Sequence, residues 1–163
     1  MRAWLHGRVV AGTATVERIQ QTLHAGNQPI LDPFFKAFSF FGEEEFYLIV
    51  LPFLAWNVNE NFARRMTYIV CLGLILGNYM KDLFQLPRPS SKRVQNLTAR
   101  DSTGCRDFGW PSTHALNAIS NSGFTLLYLY GYASPPPLAV LAAAFYCANL
   151  TFSRLYLGAH TPI

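Results

Sequence analysis

The sequence predicts an all-α polytopic membrane bundle, and three observations carry that prediction. Charged residues make up only 13% of the 163 positions, against roughly 25% in soluble domains. Hydrophobic residues reach 51% and collect in long runs. The basic residues lie between those runs. A buried soluble helical bundle shows similar runs, but the shortage of charge argues for lipid as the main solvent. The length predicts one domain.

Residues 1–29 are mixed, with Val9, Val10, Thr13, Val16, Ile19 and Leu23 at roughly helical spacing. This reads as a short amphipathic helix on a membrane surface, ended by Gly26-Asn27-Gln28-Pro29. Residues 30–41 hold Phe34, Phe35, Phe38, Phe40 and Phe41, which suit an interface or a re-entrant helix. A first span is predicted from about Glu45 to Val58, short of the about 20 residues a crossing needs. The carboxylates of Glu43, Glu44 and Glu45 belong at its edge, because charge is costly in the bilayer core. Arg64-Arg65 marks a turn before a second span, Met66 to Leu86, in which Pro87 ends the helix. A polar connector runs from Pro87 to Pro111. The third span covers Ser112 to Tyr132, and the fourth covers Leu138 to Leu157 after a Pro-rich turn. About four spans result, with residues 1–29 as an interfacial segment and 30–163 as the membrane domain.

The formal charge is +4. Its basic residues sit between apolar spans and not on a polar module, so the reading is no nucleic acid. Cys71, Cys105 and Cys147 have no metal-binding or CxxC spacing, so neither zinc nor a disulfide framework is indicated. No secretory leader is read at the N-terminus, where Arg8, Glu17 and Arg18 interrupt the apolar residues.

Three polar clusters stand at span ends. In Lys81-Asp82-Leu83-Phe84-Gln85-Leu86-Pro87-Arg88-Pro89, Lys81 and Arg88 are two helical turns apart and share a face if the helix persists. A snorkelling Lys beside a basic loop gives the same pattern. In Gly109-Trp110-Pro111-Ser112-Thr113-His114-Ala115, Pro111 suits a first helical turn and Ser112 or Thr113 can cap it. The exposed amides of such a terminus attract phosphate, and His114 sits beside them. A capped membrane helix with a chance His reads the same way. The third cluster is Ser153-Arg154-Leu155-Tyr156-Leu157-Gly158-Ala159-His160, where Arg154 at the end of an apolar span calls for a partner or a function. Up-and-down threading puts the end of the second span, the start of the third and the end of the fourth on one membrane face. Those are the three ends with clusters. The combined site holds three cations, helix amides, Ser112 and two histidines. Guanidinium forks match phosphate oxygens, cations stabilise a pentavalent phosphoryl group, and two histidines can divide nucleophilic and acid roles. This composition suggests phosphoryl transfer from a membrane-embedded substrate.

Lys81-x6-Arg88-Pro89, Pro111-Ser112-Thr113-His114 and Ser153-Arg154-x5-His160 resemble the three signatures of the type 2 phosphatidic acid phosphatase superfamily. Thr113 stands where the family usually has Gly. That substitution, with Gly42-Glu43-Glu44 and the run from Ser153 to Pro162, resembles the sphingosine-1-phosphate phosphatase branch. The resemblance covers about residues 28–163. It implies a membrane bundle of six spans and a metal-independent phosphatase with no cofactor. It also implies His160 as nucleophile forming a phosphohistidine, His114 as general acid, and Lys81, Arg88, Ser112, Thr113 and Arg154 as the phosphate-binding set. The implied substrate is a long-chain-base phosphate such as sphingosine 1-phosphate. A broader phosphatidic acid or lysolipid phosphatase is the alternative, and a non-catalytic lipid-phosphate-binding relative is another. A haloperoxidase relative shares the motifs, but those proteins are typically soluble. The family places an Asp four positions after the nucleophile, one beyond Ile163. On the resemblance the membrane phosphatase domain is therefore incomplete at its C-terminus. The implied partners are a lipid phosphate and the bilayer, with a homo-oligomer left open. The implied location is the endoplasmic reticulum membrane with a luminal site. The raw distribution of basic residues points instead to the cytoplasm. The Asn96-Leu97-Thr98 sequon in the connector bears on that choice; Asn149-Leu150-Thr151 lies inside a span.

Overall fold

The computed structural model describes residues 2–89, 94, 97, 108–131 and 133–162, with the side chains of 2–3 and 24–28 left aside. The described residues form five helices: α1 (Arg2–Phe40), α2 (Glu44–Asn57), α3 (Glu60–Phe84), α4 (Thr113–Tyr130) and α5 (Pro137–Tyr156). Packing follows the spatial order α2–α3–α4–α5–α1.

α1 is one helix of 39 residues, not the two segments expected on either side of Gly26–Pro29. A proline inside a helix costs about 3 kcal/mol through a lost hydrogen bond and a clash with the preceding turn. Packing on both sides of Pro29 and Pro33 offsets that cost. Upstream, Gln20 Nε2 donates to the Tyr156 carbonyl at 2.9 Å. Between them, the Tyr156 hydroxyl donates to Asp32 at 2.6 Å, and downstream the Phe35 ring lies 4.5 Å from the Tyr156 ring. The same tyrosine therefore holds α1 before and after the prolines. The buried stripe of α1 is Leu5, Val9, Gly12, Val16 and Gln20, so the protein covers it, whereas Val10 faces outward.

α2 matches its expected span within a residue at each end. Its 14 residues reach about 21 Å. α3 starts six residues earlier than expected, because Asn59 caps it: the Asn59 side chain accepts from the Phe62 amide at 2.9 Å. Arg64 and Arg65 thus lie in the first turns of α3, exposed, and are not a turn. α3 ends at Phe84, where Gln85 adopts a left-handed conformation at φ 49° and its amide returns to the Lys81 carbonyl. The helix stops before Pro87, so Lys81 and Arg88 do not share a helical face. α4 begins at Thr113 with Ser112 as its cap. Pro111 stands outside the first turn, after a cis Trp110–Pro111 bond.

α3 and α4 run antiparallel and close together along Gly73-Leu74-Ile75-Leu76-Gly77. A Cβ on Gly73 would strike the Asn117 side chain, and one on Gly77 would come within 2.5 Å of Thr113 Cγ2. Small residues four apart let two helices approach closely. The buried face of α4 carries His114, Asn117, Ala118 and Asn121, and Asn121 Nδ2 donates to the Tyr47 hydroxyl at 3.1 Å. Large apolar side chains point outward instead: Leu48, Phe53 and Trp56 on α2, Leu72 and Ile75 on α3, and Leu141 and Phe145 on α5. Among the described residues, α5 alone is long and apolar enough to cross a membrane, and only 17% of its apolar window is buried. That exposure is the reverse of a soluble protein's core helix. The connector features Asn96, Asp101, Cys105 and Asp107, and the basic residues Lys92, Arg93, Arg100 and Arg106, lie outside the described residues.

Candidate active site

The site forms where the C-termini of α3 and α5 meet the N-terminus of α4. The end of α5 curls back on itself. The Arg154 carbonyl accepts from the amides of Ala159 at 3.0 Å and His160 at 3.2 Å, and Gly158 makes the turn at φ 71°, a region that favours glycine. This curl returns His160 to the bundle, where it is 5% exposed. Arg88 Nη1 donates to the Ala159 carbonyl at 3.2 Å and ties the segment after α3 to the same curl.

His160 Nδ1 lies 2.5 Å from the Gly109 carbonyl oxygen. A carbonyl only accepts, so Nδ1 carries the proton, and the neutral ring keeps its lone pair on Nε2. Burial pushes the His160 pKa well below the ordinary range, and the positive charges of Arg154 and Arg88 add to this, against the pull of the Gly109 carbonyl. Gly109 is placed by its own amide, which donates to the Leu86 carbonyl at 2.8 Å. A Cβ there would sit 2.9 Å from the Pro87 carbonyl oxygen and 3.0 Å from Arg88 Cα.

His114, one residue into α4, is 8% exposed. Its ring packs so closely on Gly42 that a Cβ there would meet Cδ2 at 2.6 Å. His114 Nε2 is buried without a hydrogen-bond partner among the described residues and stands 3.8 Å from Glu43 Oε1. Arg154 is 5% exposed; its Nη1 donates to Ser39 Oγ at 2.5 Å and lies 3.9 Å from Glu43 Oε1. Lys81 and Arg154 both act electrostatically on His114. Ser112 Oγ accepts from the Ala115 amide at 3.4 Å, and Thr113 rests on Gly77, one turn before Lys81.

The fold thus brings together the three clusters anticipated at span ends. Four participants were not read from the sequence as site residues: Ser39, Gly42, Glu43 and Gly109. Gly42 and Glu43 are adjacent and Ser39 is one helical turn earlier, a local cluster that the expectation of a bilayer edge concealed. Among the described residues, no three His, Cys, Asp or Glu side chains are grouped to hold a metal ion.

A family model described as the PAP2 superfamily matches residues 62–163. The chain belongs to the PAP2 superfamily. Lipid phosphate phosphatase delta of Arabidopsis thaliana is 32% identical, covering 100% of this chain and 40% of its own length. Sphingosine-1-phosphate phosphatase 2 of Mus musculus is 38% identical over 75% of this chain and 34% of its own length. A dihydrosphingosine 1-phosphate phosphatase of Saccharomyces cerevisiae is 34% identical over 81% of this chain and 33% of its own length. This PAP2 chain spans about a third to two fifths of the relatives it matches. No solved structure matches it. The PAP2 match begins at Phe62, inside α3, so α1, α2 and the Ser39–Glu43 side of the site lie before it.

Proposed function

We propose that this chain carries the catalytic residues of a lipid phosphate phosphatase that acts on sphingosine 1-phosphate or similar long-chain-base phosphates. The observation that supports this best is the pairing of His160 Nδ1 with the Gly109 carbonyl. It leaves the Nε2 lone pair available for nucleophilic attack, with the positive charges of Arg154 and Arg88 acting on the same ring. The substrate class comes from the named activities of the relatives.

In the proposed reaction, the phosphate dianion is held by Lys81, Arg88 and Arg154, by the amides near Thr113 and by Ser112, whose hydroxyl can donate while its oxygen caps α4. His160 Nε2 attacks phosphorus, and the P–O bond to the lipid breaks. His114 Nε2 gives its proton to the leaving oxygen. Water then attacks the phosphohistidine, with His114 taking the proton, and inorganic phosphate leaves. The three cations carry the charge of the transition state, so hydrolysis persists in excess chelator. Residues 30–163 act as the phosphatase domain, and the first part of α1 packs on it through Leu5, Val9 and Gln20 and does not lie on the membrane surface.

The same reading places helices α2 to α5 as four spans in the endoplasmic reticulum membrane, with the site facing the lumen. A glycan on Asn96, lost in Asn96→Gln, is the sign of that orientation; labelling of Cys105 by an impermeant thiol reagent in sealed microsomes contradicts it. The functional test is phosphate release from sphingosine 1-phosphate and from phosphatidic acid by the intact protein in EDTA. Faster release from sphingosine 1-phosphate is expected. Equal rates favour the broader lipid phosphatase, and no release from either leaves a non-catalytic relative.

A further inference from the structure

One face of α1 rests on the chain on both sides of His160. Its buried stripe, Leu5, Val9, Gly12, Val16 and Gln20, carries no charged side chain, yet it touches the segments that hold the site. Gln20 Nε2 donates at 2.9 Å to the carbonyl of Tyr156, one helical turn before His160. Leu5 and Val9 pack on Leu86, just before Arg88, and Trp110, next to Gly109, packs against the same cluster. Gly12 meets the chain just after His160. A Cβ on Gly12 would stand 3.0 Å from the Pro162 carbonyl oxygen, 3.0 Å from Thr161 Cβ and 3.5 Å from Pro162 Cδ. Gly12 and Gln20 lie about 12 Å apart along the helix, so α1 braces the curl at two points, one before the histidine and one after it. Gly7, on the same helix, has nothing within 4 Å of such a Cβ.

We propose that Gly12 is a positioning residue: the close approach it permits between α1 and Thr161-Pro162 fixes where the His160 imidazole stands; this rests on the phosphatase reading above. His160 has to bring Nε2 to phosphorus while Nδ1 keeps the Gly109 carbonyl. Both demands are set by the backbone of residues 156–162. The Arg154 carbonyl holds that backbone through the amides of Ala159 and His160, and α1 holds it through Gln20 and Gly12. The pyrrolidine ring fixes φ at Pro162, so the chain there has little freedom to yield to an added methyl group, and the displacement passes through Thr161 to His160. A misplacement of about 1 Å at a reacting group costs about a hundredfold in rate. A glycine that served only to let two segments pack would affect stability and leave the chemical step unchanged. The PAP2 match begins at Phe62, so this part of the site lies before the family pattern.

The experiment follows single-turnover cleavage of radiolabelled sphingosine 1-phosphate by the intact protein in excess. The limiting rate constant at saturating protein reports the chemical step and does not depend on the folded fraction. Gly12→Ala is expected to lower it about tenfold and Gly12→Leu about a hundredfold. Thr161→Gly removes one of the atoms in the way, so the loss caused by Gly12→Ala should shrink in its presence. Gly7→Ala changes the same helix without a contact and should keep the native rate constant. The nitrogen-15 shifts of the His160 ring, identified with His160→Gln, should move in Gly12→Ala and stay in Gly7→Ala. A native limiting rate constant in Gly12→Leu overturns the inference, whatever its melting temperature. Equal losses in Gly7→Ala and Gly12→Ala overturn it too, since the helix and not the contact is then the cause. Absence of cleavage by the native protein overturns the phosphatase reading itself; the ring shifts then decide the inference, and an unmoved His160 ring in Gly12→Ala overturns it.

Discussion

The His160 ring and the Gly109 carbonyl meet at 2.5 Å across 51 positions of sequence. The contact joins the end of α5 to the segment before α4 and leaves Nε2 as the ring nitrogen with the free lone pair. Gly109 holds its place because its Cα has neighbours on the side where a side chain would stand.

Gly109→Ala is therefore expected to displace that carbonyl. A Cβ 2.9 Å from the Pro87 carbonyl oxygen forces the backbone to move, at a cost of about 1–3 kcal/mol for overpacking. The effect should fall on kcat and KM together, because the same Cβ presses on Arg88 Cα at 3.0 Å. Steady-state kinetics alongside thermal unfolding checks this. A variant with native kcat removes the carbonyl from the account.

The pH dependence follows from the His160 environment. Burial lowers its pKa in the folded protein, while the unfolded chain titrates near about 6.5. Between the two values the unfolded state binds more protons, so stability rises with pH. The contribution is complete above the unfolded value and is lost as pH falls through the folded one. Melting curves should show the native protein losing more stability between neutral and mildly acidic pH than His160→Gln does. Parallel losses contradict a neutral buried His160.

The packing of α3 on α4 gives a coupled prediction. Gly73→Ala pushes a methyl group into Asn117 and should destabilise the protein by about 1–3 kcal/mol. Adding Asn117→Ala makes room, so the double variant should recover part of the loss. A double-mutant cycle in detergent measures this; strictly additive effects show that the two residues do not share the contact.

These sites also show what the sequence could and could not reveal. Apolar runs and end-of-span polarity were enough to anticipate α2, α4 and α5 nearly to the residue, and to assemble Lys81, Arg88, His114, Arg154 and His160 at one end. The continuous α1 was hidden by Gly26–Pro29, whose local preference is overridden by Tyr156 on both sides. The early start of α3 is signalled by Asn59, a good cap, whereas the charge of Arg64-Arg65 has the composition of a turn. The helix stop expected at Pro87 comes slightly earlier, because Gln85 turns left-handed two residues before it. Glu43 was read as an edge carboxylate from local charge cost. Its contact with Arg154 joins residues 111 positions apart, and no local pattern encodes that.

The most direct measurement of the central claim is trapping of the covalent intermediate on the intact protein with radiolabelled substrate. The native protein should hold label in an acid-labile, base-stable form, as a phosphorus–nitrogen bond does. His114→Ala should still accumulate some label, because attack by His160 does not require the acid of the second ring. His160→Ala should hold none and release no phosphate. Label on His160→Ala equal to that on the native protein contradicts the assignment of His160 as nucleophile.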